Sequence, residues 1–131
     1  LGVVIMNFGR AQVELEAQCA IDVGLRLAEI GGKEDICFNQ AKSEIRFTIE
    51  NGININVEGL VVNIIGTEKA DTFELNNAKM SKAGNYLGKI KYNKAVSGEV
   101  RQIKISPKVV LYDEEQICIE KAVIIEKISN C

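Results

Sequence analysis

The chain has no histidine, no tryptophan, a single proline and few aromatic residues, 3 Tyr and 4 Phe among 131 positions. Without histidine it can build neither a Ser-His-Asp nor a Cys-His nucleophile, and it can offer no imidazole to zinc, haem or non-haem iron. It contains no C-x-x-C pair, which excludes zinc ribbons and thioredoxin-type redox turns, because both need two sulfurs brought close by local spacing. A Gly-rich phosphate loop, an EF-hand pattern and a nucleophile elbow are likewise missing, and no N-x-Ser/Thr acceptor for N-glycosylation occurs. Together these absences argue against an enzyme: no catalytic residue, cofactor or metal site is expected.

What is present fits one globular domain. Hydrophobic residues make up 47% and charged residues 26%, enough apolar content for a sizeable core and enough charge for solubility. The formal net charge of −2 gives no overall pull toward nucleic acid or acidic membrane. Charge is unevenly spread, however. Between Lys79 and Lys108 eight basic residues stand against one acid, Glu99, so the remainder of the chain is strongly acidic. Only Tyr86 and Tyr92 accompany that basic segment, too few for base stacking, and nucleic acid is not an expected partner.

Four cysteines, Cys19, Cys37, Cys118 and Cys131, form an even set at long spacings. That pattern suits disulfides in an exported domain, against the alternative of four buried free thiols. Three pairings are open. If the first and last strands lie side by side and antiparallel, facing residues share a nearly constant index sum, which favours a nested scheme of Cys37 with Cys118 and Cys19 with Cys131. Gly31-Gly32 would supply the bulge between the two bridges.

The opening residues Leu1 to Phe8 form an apolar run too short to span a bilayer by itself. Residues 9–18 are rich in helix formers, with Val13 and Ala17 on one face. Residues 1–18 therefore read as one helix, apolar all round at its start and amphipathic at its end. We take it as the C-terminal part of a longer hydrophobic helix. From Cys19 the period changes to that of half-buried strands, with Ile21, Val23, Leu25 and Leu27 alternating with other residues.

Residues Ile36 to Phe38, Glu44 to Glu50, Asp71 to Leu75, Gly88 to Tyr92, Val100 to Ser106, Val109 to Tyr112 and Ile117 to Ile128 continue that series. Asn51-Gly52 reads as a hairpin turn, and Gly59 to Gly66 as a central strand covered on both faces. Pro107 should end or bulge its strand. The expected class is α+β: an N-terminal hydrophobic α-helix over 1–18, followed by an antiparallel immunoglobulin-like β-sandwich over 19–131.

The order of segments MNFGRAQVELEAQCAIDVGLRL, ICF, EIRFTIENGININVEGLVVNIIG, VRQIKISPKVV and QICIEKAVIIEKISNC resembles archaeal type IV pilins and the related archaellins. The junction of Cys19 with Asp22, the stretch around Glu50-Asn51, and Cys118 followed by Glu120 to Val123 carry the likeness, which covers nearly the whole chain. It implies a structural subunit of an extracellular, cell-surface pilus-like filament, serving adhesion or motility. Its precursor would sit in the membrane and its partners would be copies of itself. Leu1, Val3, Val4, Ile5, Met6 and Phe8 would then pack as the polymerisation helix.

Within that reading Lys89, Lys91 and Lys94 are a possible contact patch for Asp113, Glu114 and Glu115 of a neighbour. The plainer account makes these lysines the solvent faces of edge strands, where they discourage stray pairing. The alternative function is a membrane-anchored cell-surface binding module, or a pseudopilin-like accessory protein that does not polymerise. Asp113, Glu114 and Glu115 are also adjacent carboxylates that could suggest acid–base chemistry, and neighbours in a turn usually serve solvation instead.

Overall fold

The computed structural model describes Cys19 and residues 23–131. The helix expected over 1–18, with Leu1, Val3, Val4, Ile5, Met6 and Phe8, lies outside the described residues. Among the described residues twelve strands follow one another: β1 (Arg26–Leu27), β2 (Glu29–Ile30), β3 (Lys33–Glu34), β4 (Ile36–Asn39), β5 (Glu44–Glu50), β6 (Gly59–Gly66), β7 (Ala70–Leu75), β8 (Asn85–Lys91), β9 (Val100–Leu111), β10 (Glu114–Ile117), β11 (Val123–Ile125) and β12 (Ser129–Asn130). Between β8 and β9 sits one helical turn, α1 (Lys94–Ser97), and a 3-10 turn at Ile119–Lys121 separates β10 from β11.

Each of the two main sheets is built on one long strand. In the first, β8 pairs along the whole of β5 on one side, while β4 and β1 share its other side and β12 lies beyond β4. In the second, β6 and then β7 lie on one side of β9, and β10 and β11 share the other. All of these ladders are antiparallel except β12 with β4, which is parallel. A separate small hairpin joins β2 to β3 through Gly31 and Gly32, both at positive φ.

The expected α+β class is corrected by this architecture. The described residues are 55% strand and 7% helical with no long helix, so they are mostly β and not α+β, and curled sheets stand in place of the expected immunoglobulin-like sandwich. The sheets enclose a single core, to which Phe38, Ile45, Phe47 and Ile49 contribute from one side and Leu60, Val62, Ile64, Ile103 and Ile105 from the other. The alternation Glu44 to Glu50 does this directly, since Ile45, Phe47 and Ile49 point inward and Arg46 outward.

Three local expectations change for physical reasons. Asn51-Gly52 is not a hairpin turn. Asn51 is buried, and its Nδ2 donates to the carbonyls of Ile55 (2.7 Å) and Ser81 (3.0 Å), so the chain is led from the first sheet into the second. The strand β6 is covered on its inner face only in full: on its outer face Val61 is buried, Asn63 half-buried and Ile65 exposed.

Pro107 neither ends nor splits its strand, because β9 runs unbroken through it. In an antiparallel ladder a residue's N and O point to the same neighbour, and the Pro107 carbonyl accepts from Cys118 N–H (2.9 Å). Its missing N–H therefore faces the break between β10 and β11, where no ladder bond is required.

Candidate functional site

The cysteines are all oxidised, but in a different scheme from the nested one. Cys19 is bonded to Cys118 and Cys37 to Cys131, so the two bridges cross in sequence. The index-sum argument required antiparallel end strands. Instead β12 runs parallel to β4, setting Ser129 beside Cys37 and Asn130 beside Phe38, with Cys131 N–H donating to the Phe38 carbonyl (2.9 Å). The chain thereby brings Cys131 to Cys37, on the outward side of β4. Cys118, held by its N–H bond to Pro107, meets Cys19 over the core, where both are buried. Two disulfides place the folded chain in an oxidising environment.

The three lysines of the expected patch have different surroundings. Lys91 pairs with Glu44 (3.6 Å) and donates to the Lys42 carbonyl (3.2 Å). Lys94 begins α1, pairs with Glu99 (3.3 Å) and lies 4.4 Å from the centre of the Phe38 ring, a cation–π contact that turns it away from solvent. Only Lys89 remains exposed without an ion pair among the described residues. Its cross-strand neighbour is Arg46, equally exposed and equally without an ion pair. Like charges directly opposite are unfavourable in a ladder. Leu87, two residues along the same face, is 56% exposed.

The acidic trio is divided in the same way. Tyr112 and Asp113, both at positive φ, form the two-residue turn between β9 and β10. Glu115 pairs with Lys108 (3.6 Å), and Glu114 accepts from Gln116 Nε2 (3.3 Å). Glu114 lies across from Leu111 and Glu115 across from Val110, on opposite faces of the hairpin, so the pair is not arranged for acid–base work. Tyr112 projects at the tip and is 63% exposed.

A second polar group joins α1 to the sheets. Asn93 caps α1 by accepting from Ala95 N–H (2.9 Å), Tyr92 Oη donates to the Gly98 carbonyl (2.7 Å), and Ser97 Oγ donates to Asp71 (2.7 Å). Burial, and then the charges of Asp71 and Glu99, push the Tyr92 hydroxyl above its ordinary range. Every member is accounted for by local hydrogen bonding, which marks a structural corner.

Among the described residues no group of three His, Cys, Asp or Glu side chains could hold a metal ion, and no helix is long and apolar enough to cross a membrane. Sequence reasoning missed Arg46 as a partner of Lys89. The alternation over Glu44 to Glu50 marks it as outward-facing, but the register between β5 and β8, separated by 34 residues of chain from Glu50 to Asn85, is not written in either strand. Compared with protein-family models, with curated proteins and with solved structures, the chain gives no match, so its reading rests on its own residues and geometry.

Proposed function

We propose that this chain is a structural subunit of an extracellular filament of the pilus-like kind, with the β-rich domain displayed on the outside and the apolar opening run, Leu1 to Phe8, buried among copies of itself. The observation that carries the reading is the pair of crossed disulfides. Each spans most of the described chain, 99 residues in one case and 94 in the other. Tension entering near Cys19 passes covalently to Cys118 and so into β10 and β9, bypassing the strands between. The last strand is bolted to β4 by the second bridge. A unit fixed at both ends in this way suits a polymer that is pulled and that no chaperone repairs.

The apolar run adds the second element. Six of its eight residues are Leu, Val, Ile, Met or Phe, and such surface repeated from copy to copy in a heterologous contact gives an open array when the rotation does not close a ring. The test is a charge placed in that run, Val4→Glu, in the full oxidised chain. We expect loss of sedimentable polymer with the far-UV spectrum and both disulfides unchanged. Wild-type chain that stays monomeric in the membrane or detergent fraction would instead support an anchored binding module, and polymer formed normally by Val4→Glu would remove the apolar run from the assembly.

A further inference from the structure

We infer that the outward face of β5 and β8 around Arg46 and Lys89 receives the β9–β10 hairpin tip of a second copy of this chain. The inference rests on the filament reading and names one contact within it. Two observations on opposite sides of the contact lead to it.

On the receiving side, Arg46 and Lys89 face each other across the ladder with no acid opposite either of them, while their neighbours are neutralised internally, Lys91 by Glu44 and Arg26 by Glu50. An uncompensated cationic pair beside an exposed Leu87 is a surface with both charge and apolar area to offer. β8 is hydrogen-bonded on one side only, to β5, so the approach to Lys89 is open among the described residues.

On the inserting side, the hairpin tip carries Asp113 and Glu114, neither in an ion pair among the described residues, beside the exposed ring of Tyr112. The turn needs two residues at positive φ, a place where Asn-Gly is the ordinary choice, and Tyr112 occupies the first of them at φ 52°. A bulky aromatic there costs stability that the monomer does not recover through packing. Tyrosine with flanking acids is suited to a contact in which the ring stacks on a guanidinium or covers an aliphatic side chain while the carboxylates meet cations.

The face and the tip belong to different sheets, and no ion pair joins them within one molecule. Meeting between copies, they use two different patches of one surface, a head-to-face geometry that extends into a filament where the rotation between copies does not close a ring. Because the charges are exposed, the contact weakens as salt rises.

The experiment uses charge exchange in the full oxidised chain. The variant Arg46→Glu/Lys89→Glu carries an acidic face and an acidic tip, and Asp113→Lys/Glu114→Lys carries a basic face and a basic tip. Each alone should self-associate about a hundredfold more weakly than wild type by sedimentation, since like charges then meet at every junction. Mixed in equal amounts, both junction types become complementary again, and association should return. Zero-length carbodiimide coupling of isotopically labelled with unlabelled wild-type chain should link Lys89 to Asp113 or Glu114 across copies. A third variant, Tyr112→Gly, should raise the unfolding midpoint by relieving the turn while lowering association, a combination that a purely structural tyrosine would not produce. If wild-type chain polymerises and the charge-exchange variants polymerise as well as it does, this contact is wrong and the filament reading survives. If wild-type chain never associates, both fail.

Discussion

Gly88→Ala is the sharpest test of the internal geometry. Gly88 lies directly across from Phe47 in the β5–β8 ladder, and a Cβ placed on it would fall 2.6 Å from Phe47 Cε2 and 2.7 Å from Cε1, with Cζ nearer still. Phe47 is 1% exposed and cannot swing away without displacing the core around it. On chain entropy alone alanine would be the better strand residue by ~0.5–1 kcal/mol. Forcing a methyl into a filled site costs ~1–3 kcal/mol, and with three ring atoms in the way the upper end applies, so the net effect is a destabilisation of about 2 kcal/mol. For a domain of this size that corresponds to a fall of roughly 6–10 °C in the thermal midpoint. The assay is urea unfolding with the disulfides intact, read by circular dichroism for the wild type, Gly88→Ala, Phe47→Leu and the double variant. Leucine withdraws the ring atoms that clash, so Gly88→Ala should cost less than about 0.5 kcal/mol in that background, a coupling that only direct neighbours show. Gly88→Ala as stable as wild type, or the same cost in both backgrounds, would refute the Phe47–Gly88 register and with it the placement of Lys89 beside Arg46.

Other outcomes follow from named groups. Removing one bridge by Cys37→Ser/Cys131→Ser should lower stability by about 2–5 kcal/mol in urea unfolding, and non-reducing peptide mapping of the wild type should recover Cys19 with Cys118 and Cys37 with Cys131. Tyr92→Phe deletes the bond to the Gly98 carbonyl and should cost about 1–2 kcal/mol near neutrality. Its pH signature is equally specific. Folding raises the Tyr92 pKa, so its contribution is fully present below the unfolded tyrosine value of about 10 and is lost as pH rises through the folded value; Tyr92→Phe should flatten that alkaline decline. At Asn51, a carboxylate would face the two carbonyls that now receive Nδ2–H. Asn51→Asp should therefore be more destabilising than Asn51→Ala at pH 7 and should regain stability as acid protonates it, measured by midpoint against pH.

The parts of the fold that were legible in the sequence are those governed by local period. Glu44 to Glu50 alternates because one face is buried, and the even cysteine count marked oxidised sulfur. Whatever depended on which strand lies beside which was not legible. The disulfide scheme turned on the direction of a two-residue strand, β12, whose parallel course leaves no trace in its Ser-Asn sequence. Pro107 by itself points to a strand end or bulge, because the matching interruption between β10 and β11 leaves no sign in the residues around it. The same reason hides the different settings of the lysines: Lys91 and Lys94 look alike along the chain and are distinguished only by Glu44, Glu99 and the Phe38 ring reaching them from elsewhere. The α+β expectation rests on the opening residues, which lie outside those described; apart from Cys19, the α-helix among the described residues is the one turn capped by Asn93 and closed at Gly98, and strand predominates.

Sedimentation velocity of the full oxidised chain over a wide range of concentrations tests self-assembly most directly. Growth from a 14.4 kDa species into an open series of larger ones, suppressed by salt and by Val4→Glu, is the predicted behaviour. A single 14.4 kDa species at every concentration and ionic strength would contradict the account.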